Sequence, residues 1–143
     1  MKRLAILLVL LVISAALFYG YKEYNRKNAD LSSAEAAITI DALTLIAAFE
    51  KDSASASGMY IDKVVAVVGT IKKIEAAEAP VVLFLGEADQ MSSVLCSMDS
   101  SHPLSGSPLK VGAKVTVKGL VNGYQSDALL GTDVALNRCV IQQ

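Results

Sequence analysis

An uncharged, strongly apolar run near the N-terminus constrains this chain more than any other feature. Residues 4–21 read LAILLVLLVISAALFYGY and follow Lys2 and Arg3. As a helix they would span about 27 Å at about 1.5 Å per residue, close to the roughly 30 Å hydrocarbon core of a bilayer. Aromatic residues crowd the far end, where they would meet lipid headgroups. The run therefore predicts a transmembrane segment over residues 4–21, behind a basic N-terminus of residues 1–3.

This segment can be an uncleaved signal-anchor or a signal peptide that is removed. A cleavage site needs small residues, and Ser14-Ala15-Ala16 supplies only a weak one. We favour the anchor because the apolar run continues past that point to near-spanning length. A lipoprotein signal is excluded, since the first cysteine after the run is Cys96. The segment predicts a single pass through a membrane with the soluble domain on the exported side; the alternative is secretion after cleavage.

The formal charge of −1 conceals two parts of opposite sign. Residues 1–27 carry five basic side chains against Glu23, a net charge of +4, whereas residues 28–143 carry eight basic against 13 acidic side chains, a net charge of −5. Affinity for a phosphate backbone comes largely from Lys and Arg. The acidic domain therefore makes nucleic acid an unlikely partner.

A polar linker over residues 22–40 leads into a domain that we expect to span residues 41–143. Asp41 is placed to cap a helix over residues 42–57, because its carboxylate can accept from the free N–H groups of the first turn. Apolar residues recur within it at helical spacing, and Gly58 suits the position after its end. This is an amphipathic helix with one core face.

After the helix the apolar period changes from about 3.6 to 2. Gly69 interrupts a long first strand, which is typical of a bulge or a bend. The stretch 99–108 is polar and reads as a loop, and Asn122-Gly123 as a turn. The predicted strands cover residues 63–74, 81–85, 94–98, 114–118 and 133–141. Five strands with a long first strand shared between two halves indicate a mainly β fold, an OB-like barrel.

Several blocks of this sequence resemble the tRNA-anticodon-like OB-fold family of small, membrane-tethered bacterial proteins. They are LIAAFEKD and DKVVAVVGTIKKI within residues 42–74, the pair Tyr24-Asn25 after the apolar run, GAKVTVKG at 112–119 and DVALNRC at 133–139. The resemblance covers roughly residues 24–143. It implies the OB fold and a nucleic-acid-binding ancestor, but it includes no catalytic signature. With the apolar run, it also implies an address in the bacterial inner membrane, in a single pass with the soluble domain facing the periplasm, or secretion to the periplasm after cleavage.

The sequence gives little support to catalysis. His102 is the sole histidine and lies in a polar loop, where a solvated side chain is the simplest interpretation. No Cys-x-x-Cys or His-x-x-x-His spacing suggests a metal site, and no Gly-x-Ser-x-Gly motif suggests a hydrolase nucleophile. We therefore expect a protein that is not an enzyme and needs no cofactor or metal.

The two cysteines are more informative. Cys96 and Cys139 fall in the predicted third and fifth strands, which are neighbours in an OB barrel. An exported domain permits a disulfide between them, whereas two buried free thiols are the ordinary alternative. Strand register decides whether the side chains can meet, so both readings stay open.

Ligands of OB folds usually bind across the second and third strands and the adjoining loops. Phe49 reads as helix core and Phe84 as barrel core, which leaves Tyr124 as the aromatic residue free to meet a ligand. The candidate ligand face is therefore Tyr124 with the strand lysines Lys72, Lys114 and Lys118. Lysines on strand faces also serve simply to keep a barrel soluble.

The functional expectation is a membrane-anchored binding or accessory module without catalytic activity. It would be held in the membrane through Leu4–Tyr21 and would bind a protein, peptide or glycan, with a protein partner preferred. The alternative is a structural subunit of a larger membrane complex, because Ser14, Ala15, Ala16 and Gly20 would permit close helix packing. Binding of single-stranded nucleic acid or of oligosaccharide is less favoured.

Overall fold

The computed structural model describes residues 14, 18–21, 31, 35–77, 79–101 and 109–142. Of the predicted membrane segment 4–21, only residues 14 and 18–21 are therefore described, and these are helical. Across the described part of the chain, no helix has both the length and the apolar character needed to cross a membrane. The rest of that segment, the linker residues 22–30 and His102 lie outside the described residues.

The described domain contains six strands and two helices. In chain order they are β1 (Ile38–Asp41), α1 (Ala42–Lys51), α2 (Ser53–Tyr60), β2 (Val64–Glu75), β3 (Val82–Leu85), β4 (Ser93–Met98), β5 (Lys114–Asp127) and β6 (Gly131–Gln142).

Strands β2 to β6 close into a barrel. The hydrogen-bonded order is β2-β3-β4-β6-β5, and β5 returns to pair with β2. The seam between β4 and β6 is parallel, and the other pairings within the barrel are antiparallel. The mainly β fold and the five-stranded OB-like barrel are thereby confirmed.

The long strand β2 belongs to both halves of the barrel, as its length and apolar character indicate. Residues 64–70 pair with β5, and residues 71–75 pair with β3. The irregularity does not lie at Gly69, which pairs regularly with Val115; it is a bulge between Ile71 and Lys73. Glycine is needed at 69 for another reason, since a Cβ there would lie 2.9 Å from the Cβ of Ala42.

A short strand at the end of the predicted linker was not expected. Ile38–Asp41 pairs in parallel with residues 65–68 of β2. Two half-buried isoleucines, Ile38 and Ile40, pack against the core. The segment alternates apolar and polar residues, but at four residues it is too short for that pattern to distinguish it from a linker.

The predicted helix over residues 42–57 is two helices. Asp41 caps α1 as predicted, because its carboxylate accepts from the N–H of Leu43 at 3.0 Å. Asp52 then ends α1 and caps α2, where its carboxylate accepts from the N–H and the hydroxyl of Ser55 at 3.1 and 2.6 Å. Aspartate competes for backbone hydrogen bonds in this way, which breaks the helix. Gly58 accordingly lies inside α2 and not beyond its end.

The predicted turn at Asn122-Gly123 is wrong. Both residues lie within β5, where a register shift against β6 lies between Val121 and Gly123. The hairpin turns instead at residues 128–130, before Gly131, which has a φ of 85°. Asp127 builds that turn by accepting from the N–H groups of Leu129 and Leu130.

Helix α1 packs against the barrel and completes its core. Its buried face contacts β1, β2, β4 and β6. The largest fully buried side chains come from the helix and from every barrel strand: Leu45, Phe49, Val65, Val67, Ile71, Leu83, Leu85, Val94, Val117, Val121, Val134 and Leu136.

Candidate ligand-binding face

The outer surface of β3, β4 and β6 carries a row of apolar side chains. Phe84 pairs with Leu95 across β3 and β4, and Leu95 pairs with Ala135 across β4 and β6. These residues are half-buried, whereas their neighbours along each strand, such as Leu83, Val94 and Val134, are fully buried in the core. We call Phe84, Leu95 and Ala135 the apolar row.

Phe84 therefore faces outward, and its interpretation as barrel core is wrong. The stretch VVLFL is apolar at every position, so no alternation in the sequence distinguishes its inner from its outer face. The pairing with Lys73 across β2 and β3 is what reveals the orientation. This places an aromatic side chain on the second strand of the OB barrel, where such barrels bind ligands.

Lys73, which adjoins the bulge in β2, lies beside Phe84. The Nζ of Lys73 lies 5.2 Å from the centroid of the Phe84 ring, within the range of a cation–π contact. The same Nζ forms an ion pair with Glu75 at 2.5 Å. Lys73 is thus engaged by an aromatic ring and by a carboxylate on its own strand.

Lys72, a predicted ligand residue, holds the loop between β3 and β4. Its ammonium group donates to the carbonyl oxygens of Gln90, Met91 and Ser92, at 2.5, 3.2 and 3.2 Å. Asp133 lies within electrostatic reach of it; burial raises the pKa of that carboxyl, and Lys72 only partly opposes the effect. One oxygen of Asp133, Oδ1, is buried and has no hydrogen-bond partner among the described residues.

The other predicted ligand residues lie on β5. Lys118 is 5% exposed in the middle of β5, and Lys114 is exposed at its start, opposite Thr70. Tyr124 lies ten residues beyond Lys114, roughly 33 Å along the path of the strand at about 3.3 Å per residue.

Tyr124 belongs to a second surface feature, an open cleft beside the junction of the two helices. Its ring is 38% exposed and packs on that of Phe49, with centroids 4.9 Å apart. The cleft has a volume of about 730 Å³ and is lined by Phe49, Glu50, Lys51, Asp52, Ser53, Ala54, Tyr124 and Ser126. Asp52 is occupied in capping α2, and the hydrogen bonds from Ser55 lower the pKa of its carboxyl. Three polar side chains of this cleft therefore already have partners in the fold: Asp52 with Ser55, Glu50 with Ser92, and Ser126 with Thr132.

Among the described residues, no group of three or more His, Cys, Asp or Glu side chains is placed to hold a metal ion. Cys96 and Cys139 are fully buried and lie side by side, because β4 and β6 are neighbours in the barrel. Both are free thiols here.

The comparisons with known proteins agree with the barrel. The sequence profile of the tRNA_anti-like family matches residues 1–140. A crystal structure from Klebsiella pneumoniae subsp. pneumoniae MGH 78578, described as a "putative nucleic acid-binding lipoprotein", superposes with a TM-score of 0.58 at 17% identity, covering 82% of this chain and 100% of that one. No curated protein matches the chain. Because the family match extends over nearly the whole sequence, the chain belongs to the tRNA_anti-like family.

Proposed function

We propose that this protein is a membrane-tethered, non-catalytic binding module that holds a protein partner on the apolar row, outside the cytoplasm. The observation that carries the proposal is the composition of the row's surroundings. An aromatic and an aliphatic side chain lie next to each other on the outer face, and the lysine beside them, Lys73, is already engaged by Glu75. Interfaces between proteins are built around apolar and aromatic cores of this kind.

Residues 4–21 and the Klebsiella neighbour both support a membrane tether. That protein is described as a lipoprotein, which implies a lipid anchor. This chain has no cysteine directly after its apolar run, so the run itself would serve as the anchor. Basic residues flank both ends of the run, so charge does not set its orientation; the short basic start before the apolar residues, which is how secretory signals begin, favours export of the barrel.

Site-specific photo-crosslinking in membranes tests this function. A photoreactive amino acid replaces Leu95, at the centre of the row, or Lys114, which is exposed on β5. The proposal predicts a discrete protein adduct from position 95 that weakens severalfold when Phe84→Ala is added, and none from position 114. Equal adducts from both positions, or none from position 95, would contradict it.

Binding of single-stranded nucleic acid is a second candidate, because Phe84 and Lys73 offer an aromatic platform beside a cation on the face that OB folds use for this purpose. The description of the Klebsiella neighbour as nucleic acid-binding also supports this candidate. Against it stand the ion pair of Lys73 with Glu75 and the net charge of −5 over residues 28–143.

Fluorescence anisotropy with a labelled oligo(dT) strand separates the two candidates. A phosphate-tracking site loses affinity steeply as salt rises. Our proposal predicts no saturable binding at moderate salt. Tight, salt-dependent binding that is lost in Phe84→Ala and in Lys73→Ala but kept in Lys114→Ala would establish the nucleic-acid function instead.

A further inference from the structure

The two cysteines meet at the one seam of the barrel where parallel strands pair. Cys96 on β4 lies opposite Leu136 of β6, and Cys139 on β6 lies opposite Met98 of β4. A register shift separates these two pairs, and Arg138, directly before Cys139, has a φ of 53°. Both side chains lie in the core on these paired strands, and Cys96 is close enough to Cys139 to raise the pKa of its thiol.

The strand on the other side of β6 closes the space behind Cys139. A Cβ on Gly119 of β5 would lie 2.6 Å from the Sγ of Cys139. The sulfur therefore rests against bare backbone on the β5 side. The neighbour that it can react with is Cys96, on the β4 side.

We propose that Cys96 and Cys139 form an intramolecular disulfide that staples the parallel seam of the barrel in the exported protein. Each thiol gives up its proton, one S–S bond forms, and the two electrons pass to the disulfide of an extracytoplasmic thiol oxidant, which becomes a dithiol. The compartment rests on the proposed function, whereas the pairing rests on the barrel alone.

This bond is a structural staple and not a reversible switch. Both cysteines are 0% exposed, so neither a reducing thiol nor an alkylating reagent reaches them in the folded barrel. The hydrogen bond to Cys96 and burial raise the pKa of the Cys139 thiol, which keeps it protonated and unreactive. The bond must therefore form while the chain folds, and it should resist reduction until the barrel unfolds.

Alkylation of the full-length protein in its host tests the proposal. Cells are quenched with acid and denatured in excess N-ethylmaleimide, and the purified chain is weighed intact. We expect a monomer that carries no maleimide group and is about two mass units lighter than the dithiol. It should gain two maleimide groups only after reduction in denaturant. Reduction should also lower the melting temperature of the barrel by about 10 °C, because a closed loop between distant residues is opened.

The proposal is overturned if protein found outside the cytoplasm carries two maleimide groups without reduction, or if it is a disulfide-linked dimer. Protein found in the cytoplasm contradicts the proposed address instead. Refolding that protein with oxidised glutathione then tests the pairing itself, and failure to form the intramolecular bond overturns it. Cys96→Ser and Cys139→Ser are the matched controls, each expected to take up one maleimide group without reduction.

Discussion

At the scale of single residues, Ser92 connects three parts of the fold. Its hydroxyl donates to Glu50 of α1 at 2.8 Å and accepts from the buried N–H of Thr132 at 2.9 Å. Its carbonyl also accepts from Lys72 of β2. Gly131 is required beside it, since a Cβ there would lie 2.8 Å from the Ser92 nitrogen. One small side chain thus joins the β3–β4 loop to the helix and to β6.

We expect Ser92→Ala to destabilise the protein by about 1–3 kcal/mol, because it leaves the buried N–H of Thr132 without its acceptor. Denaturant titration measures the change. Ser93→Ala is the comparison, since that hydroxyl makes only a 3.4 Å contact with the Met91 carbonyl, and its effect should be smaller. Equal losses would show that the Ser92 contacts contribute nothing beyond packing.

Two aspartates of the β5–β6 region should respond to pH in opposite directions. Burial raises the pKa of Asp133, so its contribution to stability is greatest below its unfolded pKa and is lost as pH rises through the folded value. Hydrogen bonds from the N–H groups of Leu129 and Leu130 lower the pKa of Asp127, so its contribution is present above the unfolded pKa and is lost as pH falls.

Relative to the unmodified chain, Asp133→Asn should therefore gain stability as pH rises from 4 to 7, whereas Asp127→Asn should lose it as pH rises from about 3 to 5, because its folded pKa lies below the unfolded one. Urea midpoints for each variant and the unmodified chain at both ends of its range give the comparison, because every other titrating group cancels within a pair. A parallel response of the two variants would rule out the assigned environments.

At the scale of elements, the alternation of apolar residues and the capping residues predicted most of the strands and the start of α1. They failed in three places, where local composition does not reveal the structure. Asp52 is polar in a helical pattern, and only the geometry reveals that it ends one helix and caps the next. Asn122-Gly123 has the composition of a turn, yet Asp127 provides the hydrogen bonds of the real one. The row around Phe84 could not be predicted because both faces of β3 are apolar.

The contact between α1 and β2 depends on a glycine. Gly69→Ala should cost about 1–3 kcal/mol of stability, because its Cβ would meet the side chains of Ala42 and Leu85 at 2.9 and 3.2 Å. Gly58→Ala is the matched control: it lies in α2 with open space around it, and alanine should stabilise the helix by up to about 1 kcal/mol. Equal midpoints in a denaturant titration would mean that α1 can shift away from β2 without loss.

At the scale of the whole molecule, the apolar run carried the prediction of address, the charge split argued against nucleic acid, and the strand pattern predicted the fold. The structure confirms the five-stranded barrel and the sharing of β2 between its two halves. The ligand face was not predictable to the same degree. Of the strand-face lysines, Lys72 is engaged by loop carbonyls and Lys118 is buried, and the register and bulges that decide which side chains lie together leave little trace in the sequence.

The central claim is that the barrel is tethered to the outer surface of the membrane, outside the cytoplasm. Protease treatment of spheroplasts, followed by membrane sedimentation of the full-length protein, tests it most directly. We predict that the protein sediments with membranes, resists extraction by high salt, and loses the barrel to protease added outside. A barrel protected until the membrane is broken, or a full-length protein that stays in the supernatant with cytoplasmic enzymes, would contradict the account.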